Sequence, residues 1–111
     1  IGVVNHEAIA ASKAALEGLA RSAAATYARH RIRINVVAPG LMRSPATERL
    51  FAAPDASRQL DAQYPLGRHG RVDDVAGTIT WLVSPETEWI TGQVLPVDGG
   101  FTSIRPLQRT G

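Results

Sequence analysis

The sequence predicts an α/β protein built around a parallel sheet, and two features support this class. An Ala-rich segment without proline, residues 6–29, has the composition of one long helix. It is followed by residues 32–38, which alternate and then become apolar on both faces, as strands of parallel sheets do. We therefore expect one domain in the order long helix, strand, short helices, helix, strand.

The first helix is predicted over residues 6–29. Asn5 is a candidate N-cap, and Glu7 would lie in the first turn, where negative charge is favourable. Glu17 and Arg21 are four residues apart, a spacing that places opposite charges side by side on a helix. The many alanines make this helix thin, so it could pack closely against a sheet or against another helix.

The first strand, 32–38, is ended by Pro39-Gly40. The next stretch is irregular and contains several prolines. Short helices are expected at about 46–53 and 55–63. In an open α/β sheet, ligands bind beyond the carboxyl ends of the strands, so Pro39-Gly40 would lie at a binding crevice.

A further helix is predicted over 72–83, with Asp73 and Asp74 in its first turn. A second strand over 93–97 leads into an Asp-Gly-Gly turn. Residues 1–101 would then form the domain and 102–111 a loose tail.

Composition argues against several functions. The formal net charge is +2 and the pI about 9.7. However, the basic residues 29, 31 and 33 lie at a helix end, where they complement the helix dipole, and we expect no nucleic-acid binding. Cysteine is absent and the three histidines are far apart, so no metal site is expected. No apolar run reaches the roughly 20 residues of a membrane helix, and the cytoplasm is the expected compartment.

Three blocks occur in order: Ser12-Lys13, then NVVAPG at 35–40, then TGQVLPVDGG at 91–100. Together they resemble the C-terminal half of the short-chain dehydrogenase/reductase family. The resemblance covers about residues 6–101. It implies half of a Rossmann-like, doubly wound parallel sheet, NAD or NADP as cofactor, and a small-molecule substrate in a full-length parent.

The resemblance also implies roles for the first block. The family lysine, which binds the nicotinamide ribose and lowers the pKa of a catalytic tyrosine, corresponds to Lys13. The tyrosine position, one helical turn earlier, is occupied by Ile9. Isoleucine has no exchangeable proton, so this chain is expected to be catalytically incompetent.

The second block corresponds to the segment that lies against the nicotinamide. By resemblance, backbone and hydroxyl groups of four residues would contact the carboxamide: Pro39, Gly40, Leu41 and Ser44. The family's Gly-rich nucleotide turn has no counterpart in these residues. Tight binding of NAD(H) or NADP(H) by this chain alone is therefore not expected.

Three hypotheses remain open at this level. The chain is the incompetent half of an oxidoreductase, or it is a binding or assembly module that exists as a homo-oligomer, or it is a divergent enzyme. In the divergent case, His6 would supply the missing acid–base group, being three residues before Ile9. Tyr27 cannot, because it would lie about 27 Å along the helix axis.

Overall fold

The computed structural model describes residues 2–105, so part of the predicted tail, residues 106–111, lies outside the described residues. The helices and strands alternate as the sequence predicts, which confirms the α/β class. They are α1 Glu7–Tyr27, β1 Val36–Pro39, α2 Ala56–Asp61, α3 Val72–Leu82 and β2 Val94–Val97. Short 3-10 turns span Ala28–His30, Glu48–Phe51 and Pro85–Thr87.

Helix α1 begins one residue later than predicted. His6 is the N-cap and makes no side-chain capping bond, so the prediction of Asn5 in this role is wrong. Asn5 has a φ of 59°, a left-handed conformation that asparagine tolerates better than most residues. The predicted pair within the helix is confirmed, with Arg21 Nη2 3.6 Å from Glu17 Oε2.

Strands β1 and β2 pair in parallel. The Val36 amide donates to the Gln93 carbonyl at 2.8 Å, and the Gly40 amide donates to the Val97 carbonyl at 3.0 Å. The two bonds join positions with the same sequence offset, which defines a parallel register. The carboxyl ends of both strands therefore lie at the same edge of the sheet.

Strand β1 is shorter than the predicted 32–38 because side chains replace part of the backbone ladder. The Ile34 amide donates to the Thr91 hydroxyl at 3.1 Å. The Asn35 carboxamide donates to the Ile90 carbonyl and accepts from the Gln93 amide, both at 3.1 Å. Regular strand pairing starts only at Val36.

The chain divides into two compact units, and the boundary crosses both strands. The first unit contains the residues up to Val37 together with Ile79–Leu95. Its buried residues are Ala20, Ala24, Leu82 and Thr87, the last only 1% exposed. Trp89, which follows the 3-10 turn Pro85–Thr87, is 97% exposed.

Arg33 connects the segment before β1 to residues 82–90 within the first unit. Its guanidinium donates to the carbonyls of Leu82 at 2.7 Å, Ser84 at 3.4 Å and Ile90 at 3.1 Å. Leu82 is the last residue of α3, so the charge lies at the C-terminal end of that helix. The sequence had suggested that Arg33 complements the end of the long first helix.

The second unit contains Ala38–Thr78 together with the chain from Pro96 onward. Phe51 and Tyr64 are its buried side chains. Beyond β2, the Asp98 carboxylate accepts from the Gly100 and Thr102 amides, and the Ile104 amide donates to the Gly100 carbonyl. Residues 102–104 are thus bonded to the turn that follows the strand.

Candidate functional site

The predicted site residues fall into two groups. His6, Ile9 and Lys13 belong to the first unit, on or next to α1. The Pro39–Gly40–Leu41 tip and Ser44 belong to the second unit.

On α1, Ile9 and Lys13 lie one turn apart and therefore share a helix face. Both side chains are exposed, Ile9 by 53%. The Ser12 hydroxyl donates to the Ile9 carbonyl at 2.9 Å, a local bond within α1. Position 9, where the resemblance predicts a proton-exchanging phenol, thus presents an exposed apolar side chain one turn before a cation.

His6 lies at the exposed start of α1. Its Nδ1 is 2.7 Å from the Val4 carbonyl oxygen. A carbonyl only accepts, so Nδ1 must carry the proton in this bond, and the lone pair of neutral imidazole is then on Nε2. The ring could therefore act as a base through Nε2.

At the tip of β1, the chain itself accounts for the glycine at position 40. A β-carbon there would lie 3.0 Å from Asp98 Cα and 3.1 Å from Tyr64 Cε1. The Gly40 amide is already bonded to Val97. Glycine thus avoids a tight contact within the second unit, in addition to allowing any close approach of a ligand.

The residues after Gly40 also use their amides within the chain. The Leu41 amide donates to the Tyr64 hydroxyl oxygen at 2.9 Å, and the Ser44 amide donates to the Thr47 hydroxyl at 3.0 Å. The Ser44 and Thr47 hydroxyls are 3.2 Å apart. A ligand at this segment would meet the Ser44 hydroxyl and carbonyl groups rather than these amides.

Tyr64 and Thr47 were not among the residues that the sequence indicated. Both lie in the irregular stretch between β1 and α3, where no period or motif singles them out.

Gly40 lines a cavity of about 220 Å³ within the second unit. Its walls also include Tyr64, Leu66, Arg68, Asp74 and Asp98. The Arg68 guanidinium binds both Asp74 carboxylate oxygens, at 2.7 and 2.9 Å. These bonds, with a further one from the Arg71 amide, lower the pKa of Asp74 to about 2. Hydrogen bonds from Thr102 lower the pKa of Asp98.

A second polar cluster connects His69 to Asp61 and Phe51. The Asp61 carboxylate accepts from His69 Nδ1 at 2.5 Å and from the His69 amide at 2.7 Å, which lowers the pKa of Asp61. The His69 ring lies 4.7 Å from the Phe51 ring. The Arg43 guanidinium lies over the Phe51 ring, with its central carbon 5.2 Å from the ring centroid.

In the part of the chain that the structure describes, no three His, Asp or Glu side chains converge as a metal site would require. None of the described helices combines the length and apolar character needed to cross a bilayer.

Comparison with known proteins decides the family. A family model described as enoyl-(acyl carrier protein) reductase matches residues 1–102. A solved structure of a short-chain dehydrogenase family protein from Francisella tularensis matches 94% of this chain with a TM-score of 0.84 and 26% identity. The chain belongs to the short-chain dehydrogenase/reductase family. Its helices and parallel strands are accordingly part of a Rossmann-like α/β fold.

Two further members of the short-chain dehydrogenase/reductase family are similar to this chain. Cis-4-hydroxycyclohexanecarboxylate dehydrogenase of Sinomonas cyclohexanicum is 39% identical over 104 residues, which cover 94% of this chain and 41% of the relative. A structure of 4-hydroxyisoleucine dehydrogenase complexed with NADH matches 86% of this chain and 39% of its own, with a TM-score of 0.80 and 32% identity. The chain thus spans less than half the length of the family members it matches.

Proposed function

We propose that this chain forms the nicotinamide side of an NAD- or NADP-dependent short-chain oxidoreductase and transfers no hydride by itself. One observation carries the proposal: α1 retains the Lys13 cation but presents Ile9 one turn before it. The cation can donate hydrogen bonds to ribose hydroxyls. No proton can be exchanged at position 9, where general acid–base help contributes about 10²–10⁴-fold to such reactions.

In the second unit, the Pro39–Ser44 segment at the carboxyl end of β1 is a separate proposed contact for the cofactor. Its position agrees with the general rule for ligand binding in open α/β sheets. The Ser44 hydroxyl and the carbonyls of Pro39 and Gly40 would face the carboxamide of the nicotinamide. The Leu41 carbonyl already accepts from the Gly70 amide at 2.8 Å, so a bond to the carboxamide would use its second lone pair. The substrate of a full-length parent would be a small molecule that exchanges hydride with this ring.

The proposal can be tested with two halves of the cofactor. In NMR titrations of the purified chain, nicotinamide mononucleotide should shift the amide signals of residues 39–44 and those near Lys13, whereas AMP should leave them unchanged. Lys13 is the only lysine in the sequence. Lys13→Met should weaken the binding by roughly tenfold or more, because it removes a charged hydrogen-bond donor.

Arg21→Met is the matched control, since it removes another exposed cation from α1 and should leave the affinity unchanged. Titration of NADH by fluorescence should give no micromolar affinity, because the pyrophosphate requires a Gly-rich turn before a helix N-terminus. Stronger binding of AMP than of the mononucleotide, or an unchanged affinity in Lys13→Met, would contradict the proposal.

A divergent enzyme is the second candidate, and the geometry of His6 favours it over other substitutes. Its bond to Val4 leaves Nε2 as a possible base near the start of α1. If this candidate is correct, the unmodified chain reduces a carbonyl compound with NADPH and His6→Ala abolishes turnover, while His30→Ala does not. Turnover that is absent, or insensitive to His6, rejects it. Ile9→Tyr alone should not create activity, because half of the cofactor site must still be supplied.

We further propose that the chain assembles with copies of itself. In the described residues, the buried apolar side chains are few and mostly small: Ala20, Ala24, Phe51, Tyr64 and Leu82. On α1, Leu16 and Leu19 are more than half exposed. A second copy could cover this helix, and symmetric pairing is the commonest closed arrangement.

A further inference from the structure

Tyr64 connects the turn after α2 to Leu41, the residue that follows the tip of β1. Its ring is buried, and its hydroxyl oxygen accepts the Leu41 amide proton at 2.9 Å. The backbone of Tyr64 is itself fixed in the turn after α2: its amide donates to the Asp61 carbonyl, and its carbonyl accepts from the Gly67 amide. These backbone bonds hold Tyr64 in place, so its hydroxyl has a defined position next to the Leu41 amide.

The Leu41 amide is the point where the backbone ladder changes partner. Before it, the Gly40 amide bonds to Val97 at the end of β2. After it, the Arg43 amide bonds to the Gly70 carbonyl, and Met42 forms a parallel bridge with Gly70. Between these two partners, the Leu41 amide bonds to a side chain. Without the Tyr64 hydroxyl, this partly buried amide would have no partner in the backbone ladder. Proteins rarely leave a buried amide without a hydrogen bond.

The Tyr64 ring also fills the space that Gly40 leaves. Its Cε1 lies 3.1 Å from where a Gly40 β-carbon would be, and its Cδ1 lies 3.5 Å from the corresponding point at Gly99. Its centroid is 5.2 Å from that of Phe101. The ring thus packs under the tip of β1 and beside the turn after β2, while the hydroxyl fixes the next peptide.

We propose that Tyr64 is a positioning residue, whose hydroxyl fixes the Leu41 peptide and thereby the Pro39–Ser44 segment for the nicotinamide ring. This inference rests on the function proposed above. This role requires no contact between Tyr64 and the cofactor. It acts through Leu41, because the carbonyls and the hydroxyl that would meet the carboxamide belong to the same short segment. Without the hydroxyl, the Gly40–Leu41 peptide would be held only by the flanking bonds, from the Gly40 amide to Val97 and from the Gly70 amide to the Leu41 carbonyl. The groups that meet the carboxamide would then be less well oriented.

Tyr64→Phe tests the inference, since it keeps the ring and removes only the hydroxyl. Amide hydrogen exchange of the purified chain gives the structural readout. Exchange of the Leu41 amide should accelerate by roughly tenfold, while the Gly40 amide, bonded to backbone, keeps its protection. Retained Gly40 protection also shows that the variant is folded. Tyr27→Phe is the matched control, because it removes the hydroxyl of an exposed tyrosine at the end of α1.

Titration with nicotinamide mononucleotide gives the functional readout. Tyr64→Phe should weaken its binding severalfold and reduce the shifts at residues 39–44, whereas Tyr27→Phe should bind like the unmodified chain. Identical Leu41 exchange and identical binding in Tyr64→Phe and the unmodified chain would overturn the role of Tyr64 and leave the proposed function intact. Absence of binding by the unmodified chain would instead reject the proposed function, and the inference with it.

Discussion

A side chain at Gly40 would be crowded, because a β-carbon there would lie 3.0 Å from Asp98 Cα and 3.1 Å from Tyr64 Cε1. The nearest of these atoms belongs to backbone and cannot move aside as the end of a flexible side chain can. The residue is therefore constrained by its own unit before any ligand is considered. Its place in a motif and its packing requirement point to the same amino acid.

Gly40→Ala should consequently lower the free energy of unfolding by about 1–3 kcal/mol, the usual cost of overpacking. Urea unfolding followed by circular dichroism measures the change. Gly18→Ala is the control: a β-carbon at Gly18 meets nothing within 4 Å, and the residue lies inside α1. It should raise the free energy of unfolding by about 0.5–1 kcal/mol, because alanine favours helix. Equal effects of the two substitutions would contradict the packing argument.

Asp74 gives the fold a dependence on acid. Arg68 lowers the pKa of Asp74 from 3.8 to about 2 in the folded chain. A carboxyl whose folded pKa is depressed stabilises the fold above its unfolded pKa, and this contribution is lost as the pH falls through the folded value. Unfolding free energies measured from pH 5 to about pH 2 should therefore decline less steeply in Asp74→Asn than in the unmodified chain.

The comparison variant is Asp73→Asn, which removes a charge from the same first turn of α3 at an exposed position. Its pH profile should follow that of the unmodified chain. The carboxylates of Glu48, Asp61 and Asp98 also have lowered pKa values, so the parent curve must still fall in acid. Parallel curves for Asp74→Asn and the parent would show that the Arg68 pair contributes nothing to folding.

For single residues, the ordered motifs allowed positions to be predicted, whereas the irregular stretch between them did not. Lys13 and Ile9 could be placed on one helix face because helical spacing is fixed by geometry. Tyr64 could not be foreseen, since a side chain that bonds a peptide 23 residues away leaves no local pattern. The roles of Lys13, Ile9, His6 and the Pro39–Ser44 segment remain predictions.

The secondary-structure elements differ in how well sequence pattern defines them. The long α1 was predicted to within about two residues at each end, because 21 residues of high helix propensity outweigh local exceptions. The first strand was predicted from residue 32, but regular strand pairing begins at Val36. Alternation indicates an extended chain, yet it does not distinguish a backbone partner from the Thr91 and Asn35 side chains that bond here.

Arg33 binds the carbonyl of Leu82, the last residue of α3, and the carbonyls of two residues that follow this helix, Ser84 and Ile90. The C-terminal end of α3 therefore depends on Arg33. Arg33→Met keeps most of the aliphatic stem and removes the donors. It should lower the free energy of unfolding by about 1.5–3 kcal/mol, the range for hydrogen bonds to a charged group. Amide exchange should accelerate at the end of α3, and urea unfolding should report the loss in stability.

Arg49→Met provides the control for Arg33, because Arg49 is an exposed arginine in the 3-10 turn Glu48–Phe51. Its removal should change stability by no more than about 0.5 kcal/mol. If both variants unfold at the same urea concentration, the carbonyl contacts of Arg33 do not stabilise the end of the helix.

For the molecule as a whole, the order of the three sequence blocks was enough to identify the α/β class and the family. The small size of the core could also be foreseen from two strands and an Ala-rich helix. The division of the buried side chains between two units could not, since it depends on long-range packing that periodicity does not encode.

The proposed assembly leads to a prediction at this scale. Light scattering coupled to size exclusion should give a mass above the 11.9 kDa of one chain. Leu16→Glu combined with Leu19→Glu should reduce this mass to that of the single chain, because it places charges on the exposed apolar face of α1. Leu66→Glu is the control at another exposed leucine. A cooperatively melting monomer of the unmodified chain would refute the assembly.

Trp89 determines which optical signal can be used for such experiments. The sequence has two tryptophans, and Trp89 is 97% and Trp81 45% exposed. An indole that is already in water emits much as it does in an unfolded chain, so Trp89 fluorescence should change little on denaturation. Any molecule that covers this indole should shift its emission to shorter wavelength. The Trp89 part of the native fluorescence should therefore report binding at its surface, whereas the half-buried Trp81 is the indole whose emission can report unfolding.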